Sequence, residues 1–247
     1  IENASATGSC ALREAYLQVA SGQYDRVLVL GFDKMTQVMG SAPNPNDLDE
    51  AILPAAFFAM WATRRMHERG TTPEHLAKIA AKNWNYGALN PMSQRQATET
   101  VTPEKVLGSK MVAWPLTAMM SCPIGDGAAA AIVCRADLAK KYQPGKPIVR
   151  ITASHLGSEK YERGHLFMGP VVGPAQMSRD AAADLWQQSG MGPKDIDLVQ
   201  VHDAFVIEEL EYYELLGFCR EGEGEQAIED GRFAPGGATP FSTDGGL

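Results

Sequence analysis

The sequence predicts an α/β fold. Segments with helical periodicity alternate with short apolar segments along the 247 residues, as in layered α/β proteins. The composition, 45% hydrophobic and 21% charged, is typical of a globular chain with a sizeable core. A Pro/Gly segment at 140–147, "KKYQPGKP", predicts an internal boundary between two groups of elements.

The first elements are a helix and a strand. From Ala4 to Gln23, apolar residues recur on one helical face, and Gly22 predicts the end of the helix. The continuous apolar run at 24–35, "YDRVLVLGFDKM", predicts a strand that is buried on both faces. Residues 36–53 carry Gly, Pro and Asn without periodicity, which predicts a long surface loop.

Two helices are predicted next, over 54–68 and from Thr72 onward, with Thr72 as N-cap and Pro73 in the first turn. An irregular stretch follows. The later elements, in chain order, are strands at 121–135 and 146–158, a helix at 173–190, a strand at 196–205, a helix at 206–218 and an acidic solvated connector at 220–231.

Charge and cysteine content exclude several classes of function. A net charge of -8 and a pI near 5.2 argue against a nucleic-acid surface, which needs a concentrated basic patch. No apolar run approaches the ~18 residues that predict a membrane span. The four cysteines form no C-x-x-C pair, so neither a metal site nor a disulfide framework is expected, and a reducing, cytoplasmic location fits best.

Four short motifs of the chain occur in an order and spacing that are known from one protein family. They are "NASATGS" before a helix, "GFDKMT" after a strand, "SCPIGDGAAAAIV", and "VHDAFVIEELEYYELLGFC". Their order and approximate spacing are those of thiolases, with weaker support from "MGPVVGPAQM" and "STDGGL". The chain therefore resembles the thiolase superfamily, especially its sterol-carrier-protein and lipid-transfer-protein branch, over essentially its whole length.

The resemblance implies a five-layered αβαβα fold of two similar halves, with a loop domain inserted in the first. Residues 1–143 would then hold the remainder of the N-terminal half, with the loop domain at about 36–118, and residues 144–247 the start of the C-terminal half. It also implies a homodimer, coenzyme A as part of the substrate with no bound cofactor, and, for the aldolase branch, a zinc-ribbon/OB-fold partner protein. By the same comparison, we expect this chain to be an internal part of a longer protein.

Ser5 stands where thiolases carry the cysteine that takes up the acyl group. A helix N-terminus stabilises an anion by about 0.3–1 kcal/mol, or about 2 kcal/mol when partly buried. One pKa unit corresponds to about 1.4 kcal/mol, and the pKa of an alcohol starts several units above that of a thiol. Ser5 would therefore need a dedicated base to attack. We predict a positioning or capping role, with the Ser5 hydroxyl accepting from the N–H of Thr7 or Gly8; covalent attack is the alternative. Cys10 is predicted to be a packed core thiol that does not replace the cysteine.

His202 ends a predicted strand, where α/β proteins tend to place ligand-contacting groups. The resemblance implies that His202 lies near the thioester oxygen, where it helps to hold a water or to polarise the carbonyl; a hydrogen-bonded core histidine is the alternative. Asp203 is predicted to be the N-cap of the following helix. Four cationic side chains could meet the phosphates of coenzyme A or simply lie on a solvated helix face: Arg64, Arg65, Lys78 and Lys82.

A carbon–carbon bond in a thioester can be cleaved without an acyl-enzyme, because loss of the β-hydroxyl proton allows the bond to break toward an enolate held by hydrogen-bond donors. Similarity to thiolase-like aldolases of steroid side-chain degradation suggests a tyrosine as the acid–base group. The candidates are Tyr161, in a polar loop, and Tyr212 or Tyr213, on the helix after "HDAF".

Three functions remain open from the sequence. The first is a retro-aldol type enzyme on acyl-CoA thioesters, in lipid or steroid side-chain metabolism. The second is an acyltransferase, with thiolase activity and Ser5 in the nucleophile position. The third is a non-catalytic acyl-CoA or lipid binder that has kept the binding pocket and lost the catalytic activity.

Overall fold

The computed structural model describes residues 1–35, 54–158 and 176–246. Within these ranges the helices are α1 (Thr7–Ala20), α2 (Pro54–Arg69), α3 (Pro73–Leu89), α4 (Pro103–Leu107), α5 (Ala136–Tyr142), α6 (Gln176–Ser189), α7 (Val206–Leu215) and α8 (Gly224–Glu229). The strands are β1 (Arg26–Lys34), β2 (Met111–Ala113), β3 (Leu116–Thr117) and β4 (Asp126–Cys134). The predicted loop at 36–53 lies outside the described residues.

The described residues form two compact units. The first holds 1–35, 124–158 and 183–190, and the second holds 54–123, 176–182 and 191–246. Each unit is therefore built from segments distant in sequence. The division into halves at 143/144 and the inserted loop domain are not tested by these units and stay predictions.

The first unit contains the helix and strand predicted at the start of the chain. β1 pairs antiparallel with β4 along its whole length, from Arg26 opposite Cys134 to Lys34 opposite Asp126. α1 packs against β1 and buries Cys10, as predicted for this thiol.

The burial predicted for both faces of β1 is wrong for the described residues. Leu28, Leu30 and Phe32 share one face and are 65%, 59% and 79% exposed. The apolar run predicts the strand correctly because such residues favour extended backbone. The run does not, however, determine which other elements cover the strand. Within the described residues, α1 packs on the β1–β4 pair from one side only.

The main core lies in the second unit. Helices α2, α3, α4, α7 and α8 pack there around apolar side chains, among them Leu76, Ile79, Ile207, Leu210 and Phe241. The predicted start of α3 is confirmed: Thr72 accepts a hydrogen bond from His75 N at 3.3 Å, and His75 Nδ1 accepts one from Thr72 N at 3.1 Å.

Two predicted strands are not formed. Residues 146–158 have no ladder partner among the described residues, and Val149 there is 90% exposed. Residues 196–205 make only isolated bridges, parallel from Val199 to Phe241 and antiparallel from Phe205 to Ser121. Apolar alternation favours extended backbone, but a strand also needs a neighbour, which sequence pattern alone does not specify.

Candidate functional site

The candidate site centres on His202, just before α7. Its Nδ1 lies 3.2 Å from Glu208 Oε1. The imidazole is 39% exposed, whereas the Glu208 side chain is only 7% exposed. The hydrogen bond to Glu208 raises the pKa of His202 above its ordinary value, against the lowering effect of burial, and the charges of Glu208 and Asp203 raise it further. His202 is thus half open to solvent on one side and held by a buried carboxylate on the other.

Glu208 is placed by the local structure of α7. It lies in the first turn of the helix, and its Oε2 accepts a hydrogen bond from Phe205 N at 3.4 Å. A glutamate that folds back in this way satisfies a backbone N–H that the helix itself leaves without a partner. One carboxylate oxygen therefore anchors the helix start while the other faces His202.

The segment that carries His202 is also held from the other side. Cys122 N donates to Ala204 O at 2.8 Å, next to the bridge between Ser121 and Phe205. Arg95 Nη2 donates to Ser121 O at 2.8 Å, and its guanidinium lies 4.7 Å from the centre of the Trp84 ring. Burial raises the pKa of the Cys122 thiol, and Arg95 partly offsets that effect.

Asp203 does not cap α7, so that prediction is wrong. Phe205 occupies the N-cap position, and the Asp203 carboxylate is buried and accepts a hydrogen bond from Asn83 Nδ2 at 2.9 Å. Gly246, at φ 70, packs so closely that a Cβ atom there would collide with Asp203 Oδ2. The carboxylate is therefore engaged inside the fold, two residues before the N-cap of α7.

A second buried carboxylate on α7 joins that helix to α3. Glu209 is 0% exposed and lies 2.8 Å from Lys82 Nζ. It also accepts hydrogen bonds from Asn83 Nδ2, at 2.9 Å, and from the Tyr213 hydroxyl. Although burial alone would raise the pKa of Glu209, Lys82 and these donors lower it. Lys82 is thus committed inside the protein, and its predicted role on a solvated or phosphate-binding face is wrong.

Arg65 is likewise buried and paired with carboxylates. Its guanidinium is 5% exposed and pairs with Glu211 at 3.1 Å, Glu225 at 2.7 Å, and Glu214. The acidic segment at 220–231 was predicted to be a solvated connector. It contains α8, and Glu225 of that helix pairs with the buried Arg65. Arg64 and Lys78 are about half exposed and pair with Glu68 and Glu229 on the surface.

Ser5 lies in the first unit, in an exposed 3₁₀ turn over Ala4–Ala6. The predicted capping role is wrong, because Ala6 is the N-cap of α1 and no side chain caps that helix. Thr7 makes the local polar contact instead, donating from its hydroxyl to Ala4 O at 2.8 Å. Ala4 adopts φ 45, a left-handed conformation that strains a non-glycine residue, and such strain often accompanies functional sites.

The candidate tyrosines have different surroundings. Tyr161 lies outside the described residues. Tyr213 is 1% exposed, and burial together with Glu209 raises its pKa well above the ordinary value. Burial raises the pKa of Tyr212 to about 12. The surroundings of Tyr213 are those of a core residue. The proton-transfer roles of the three tyrosines stay predictions.

Within the described residues, no helix has the length and apolar character that a membrane crossing requires. The same residues contain no group of three or more His, Cys, Asp or Glu side chains arranged to hold a metal ion.

Comparison with known proteins places this chain among relatives of one type. Residues 162–247 match the family model described as "Thiolase C-terminal domain-like". The whole chain aligns with an acetyl-CoA acetyltransferase of Methanothermobacter thermautotrophicus, with 36% identity and 64% of that protein covered. It also aligns in full with bovine sterol carrier protein 2, with 33% identity and 48% of that protein covered. These matches together support a protein of the thiolase superfamily.

A solved structure extends the match to three dimensions. The Ltp2-ChsH2(DUF35) aldolase superposes with a TM-score of 0.82 and 27% identity, over 97% of this chain and 64% of that one. This thiolase-like chain thus has the predicted α/β thiolase-like fold, while its five-layered arrangement stays a prediction. The chain spans less than two thirds of the length of each of these three proteins.

Sequence reasoning found His202 in this thiolase-like chain but missed Glu208. The signal was present, since a glutamate three residues after the helix N-cap is a known pattern for a side chain that folds back. The Arg65 cluster had no comparable signal. Its acidic partners come from two helices about 150 residues away in sequence, and only the fold brings them to the arginine.

Proposed function

We propose that this protein acts on acyl-CoA thioesters and makes or breaks a carbon–carbon bond without a cysteine acyl-enzyme. The observation that carries the proposal is the state of Ser5. An alcohol needs a base in contact to become a nucleophile, and among the described residues no side chain hydrogen-bonds to the Ser5 hydroxyl. The likeness to an aldolase of the same superfamily supports the same choice.

In the proposed retro-aldol reaction, a base removes the proton from the β-hydroxyl of the acyl group. The β-carbon becomes a carbonyl and leaves as an aldehyde or ketone, as the bond between the α- and β-carbons breaks. The bonding electron pair passes to the α-carbon, and the negative charge is shared with the thioester oxygen. Protonation of the α-carbon then releases a shortened acyl-CoA.

His202 has the properties needed to stabilise the thioester oxygen. A protonated imidazole presents its Nε2–H as a charged donor, and such donors act most strongly where negative charge develops. Tyr161 is the tyrosine proposed to carry the proton, since Tyr213 is enclosed by the core. The positioning role of Ser5 rests on the resemblance to thiolases.

The purified full-length protein, incubated with β-hydroxyacyl-CoA thioesters, tests this proposal by mass spectrometric detection of a carbonyl product and a shortened acyl-CoA. Loss of one oxyanion donor typically lowers turnover by about 10²–10³, so we expect such a loss for His202→Asn. The matched control is His67→Asn, at an exposed position on α2, which should leave turnover unchanged. Equal turnover in the two variants would remove His202 from the mechanism.

Acyl transfer is the second candidate. It is favoured by the 36% identity to a protein named as an acetyl-CoA acetyltransferase. In that reaction Ser5 would carry the acyl group, and a covalent adduct on the Ser5 peptide would be its mark. Tight acyl-CoA binding without turnover of any thioester would instead support a non-catalytic binder.

We also propose a partner protein and a homodimer. The aldolase neighbour is named with a second component, ChsH2(DUF35), and this supports a partner protein for this chain. The zinc-ribbon/OB-fold type of that partner rests on the resemblance. Homodimer formation, a cytoplasmic location and a role in steroid side-chain metabolism rest on the resemblance. Co-purification of the protein with such a partner, followed by size measurement in solution, tests the assembly.

A further inference from the structure

We propose that Glu208 is a positioning residue for His202: its carboxylate orients the imidazole with Nδ1–H toward α7 and favours the charged ring, in which Nε2–H is the donor at the site. The expected effect of Glu208 on turnover rests on the proposed function, whereas its effect on the His202 ring does not. The contact itself is a feature of the fold.

The geometry of the contact fixes the tautomer. A carboxylate oxygen accepts hydrogen bonds and does not donate, so the proton between Glu208 Oε1 and His202 Nδ1, 3.2 Å apart, belongs to the imidazole. Within the described residues, Nε2 has no hydrogen-bond partner. A neutral ring held in this way would present a lone pair at Nε2, and a charged ring presents an N–H. The two states have opposite effects on a thioester oxygen, because only the N–H donates to it.

The charges around His202 favour the protonated ring. Glu208 faces it from α7, and Asp203 adds negative charge from the same segment. Two further titratable groups lie within electrostatic range of Asp203: Cys122, which also faces Glu208, and Arg95. At the Cys122 thiol, the charge of Arg95 opposes that of the two carboxylates. A carboxylate that is 7% exposed is poorly screened by water, so its attraction for a neighbouring cation is strong.

Glu208 is held in place independently of His202. Its second oxygen accepts from Phe205 N, so the side chain is not free to rotate toward solvent when His202 loses its proton. The Cys122–Ala204 hydrogen bond fixes the backbone beside His202 from the opposite side. Both partners therefore start from a defined position, which lowers the entropic cost of their contact.

Glu208→Gln tests the inference because it removes the charge and keeps an oxygen for Phe205 N. Ring-nitrogen NMR titration gives the His202 pKa directly, and the signal is assigned among the five histidines by its absence in His202→Asn. We expect the His202 pKa to fall by about one unit in Glu208→Gln, a tenfold loss of proton affinity. Glu208→Asp restores the charge and should move the pKa back toward that of the wild type.

The matched control is Glu99→Gln, at a surface position where the side chain is 73% exposed and pairs with Lys105. It should leave the His202 titration unchanged. In activity profiles, turnover should fall as pH rises through the His202 pKa, and this limb should move about one unit lower in Glu208→Gln. A His202 pKa equal in wild type and Glu208→Gln would overturn the inference. The titration needs no turnover, so a protein that shows the pKa change but no activity would contradict the proposed function alone.

Discussion

Arg65 gives the sharpest test of how α7 is held. It is the cation that joins α2 to carboxylates on α7 and α8, at 5% exposure. Burial alone would lower the pKa of Arg65, but its hydrogen bonds to Glu225 and Glu214 raise it above the ordinary value, so it stays charged. Replacing it by methionine keeps much of the apolar stem and leaves the three carboxylates without their cation. Because α7 also carries Glu208, this cluster supports the candidate site.

The expected loss is large. Removing one partner of a buried ion pair typically costs about 3–5 kcal/mol, because the other charge remains buried without compensation. Here three carboxylates lose the same partner. We therefore expect Arg65→Met to lower the free energy of unfolding by about 5 kcal/mol at pH 7, the upper end of that range. Total stabilities are about 5–15 kcal/mol. The variant should therefore be close to unfolding at neutral pH.

The loss should shrink in acid. Burial, together with the charge of Glu214, already raises the pKa of Glu211 against the opposing effect of Arg65. A carboxyl group with a raised folded-state pKa stabilises the fold below its unfolded pKa, and this contribution is lost as pH rises through the folded value. Glu225 behaves in the opposite way: its lowered pKa gives wild-type stability that is lost as pH falls. In Arg65→Met the lowering effect of Arg65 on the Glu211 pKa is gone, so protonation of Glu211 in acid stabilises the variant more than the wild type. Together with the loss of the Glu225 contribution from the wild type, this narrows the difference in free energy of unfolding between the two proteins at low pH.

Urea unfolding followed by circular dichroism at pH 7 and pH 4 measures the free energy of unfolding in each case. The matched control is Arg64→Met, the next residue, whose pair with Glu68 is about half exposed on both sides. Surface pairs of this kind contribute about 0.3–0.5 kcal/mol. If Arg65→Met cost no more than Arg64→Met, or the same amount at both pH values, the account of the cluster would be wrong.

Three further substitutions probe other parts of the second unit. Lys82→Met should cost about 3–5 kcal/mol, because it leaves Glu209 buried without its cation, and the additional change Glu209→Gln should recover much of that loss in urea unfolding. Thr72→Ala should lower the free energy of unfolding by about 1 kcal/mol through loss of the α3 cap, and an unchanged midpoint of urea unfolding would contradict the capping geometry. Gly246→Ala should destabilise the fold by more than about 1 kcal/mol, because φ is 70 and the new Cβ meets Asp203; thermal unfolding that matched wild type would refute this close approach.

Local signals in the sequence predicted most of the helices well. Thr72 and Pro73 marked the start of α3 correctly, because an N-cap hydroxyl and a first-turn proline act within one turn of chain. The strand at β1 was also correct. Its burial and the strands at 146–158 and 196–205 were wrong, because ladder partners and covering layers come from distant residues.

The candidate site was predictable only in part. His202 stood out because a motif surrounds it, whereas Arg65 and Lys82 looked like surface cations on amphipathic helices. Their carboxylate partners lie on α7 and α8, so the sequence near each cation carried no indication of burial. The predicted N-cap role of Asp203 was wrong for the same reason, since its carboxylate accepts a hydrogen bond from Asn83, 120 residues away in sequence.

The most direct test of the central claim is to follow acylation of Ser5 during turnover. The full-length protein is mixed with a β-hydroxyacyl-CoA and quenched at times shorter than one turnover, and the peptide that contains Ser5 is then weighed by mass spectrometry. The account predicts release of a carbonyl product with no mass increase on that peptide. An ester on Ser5 that forms and decays at the rate of turnover would contradict it.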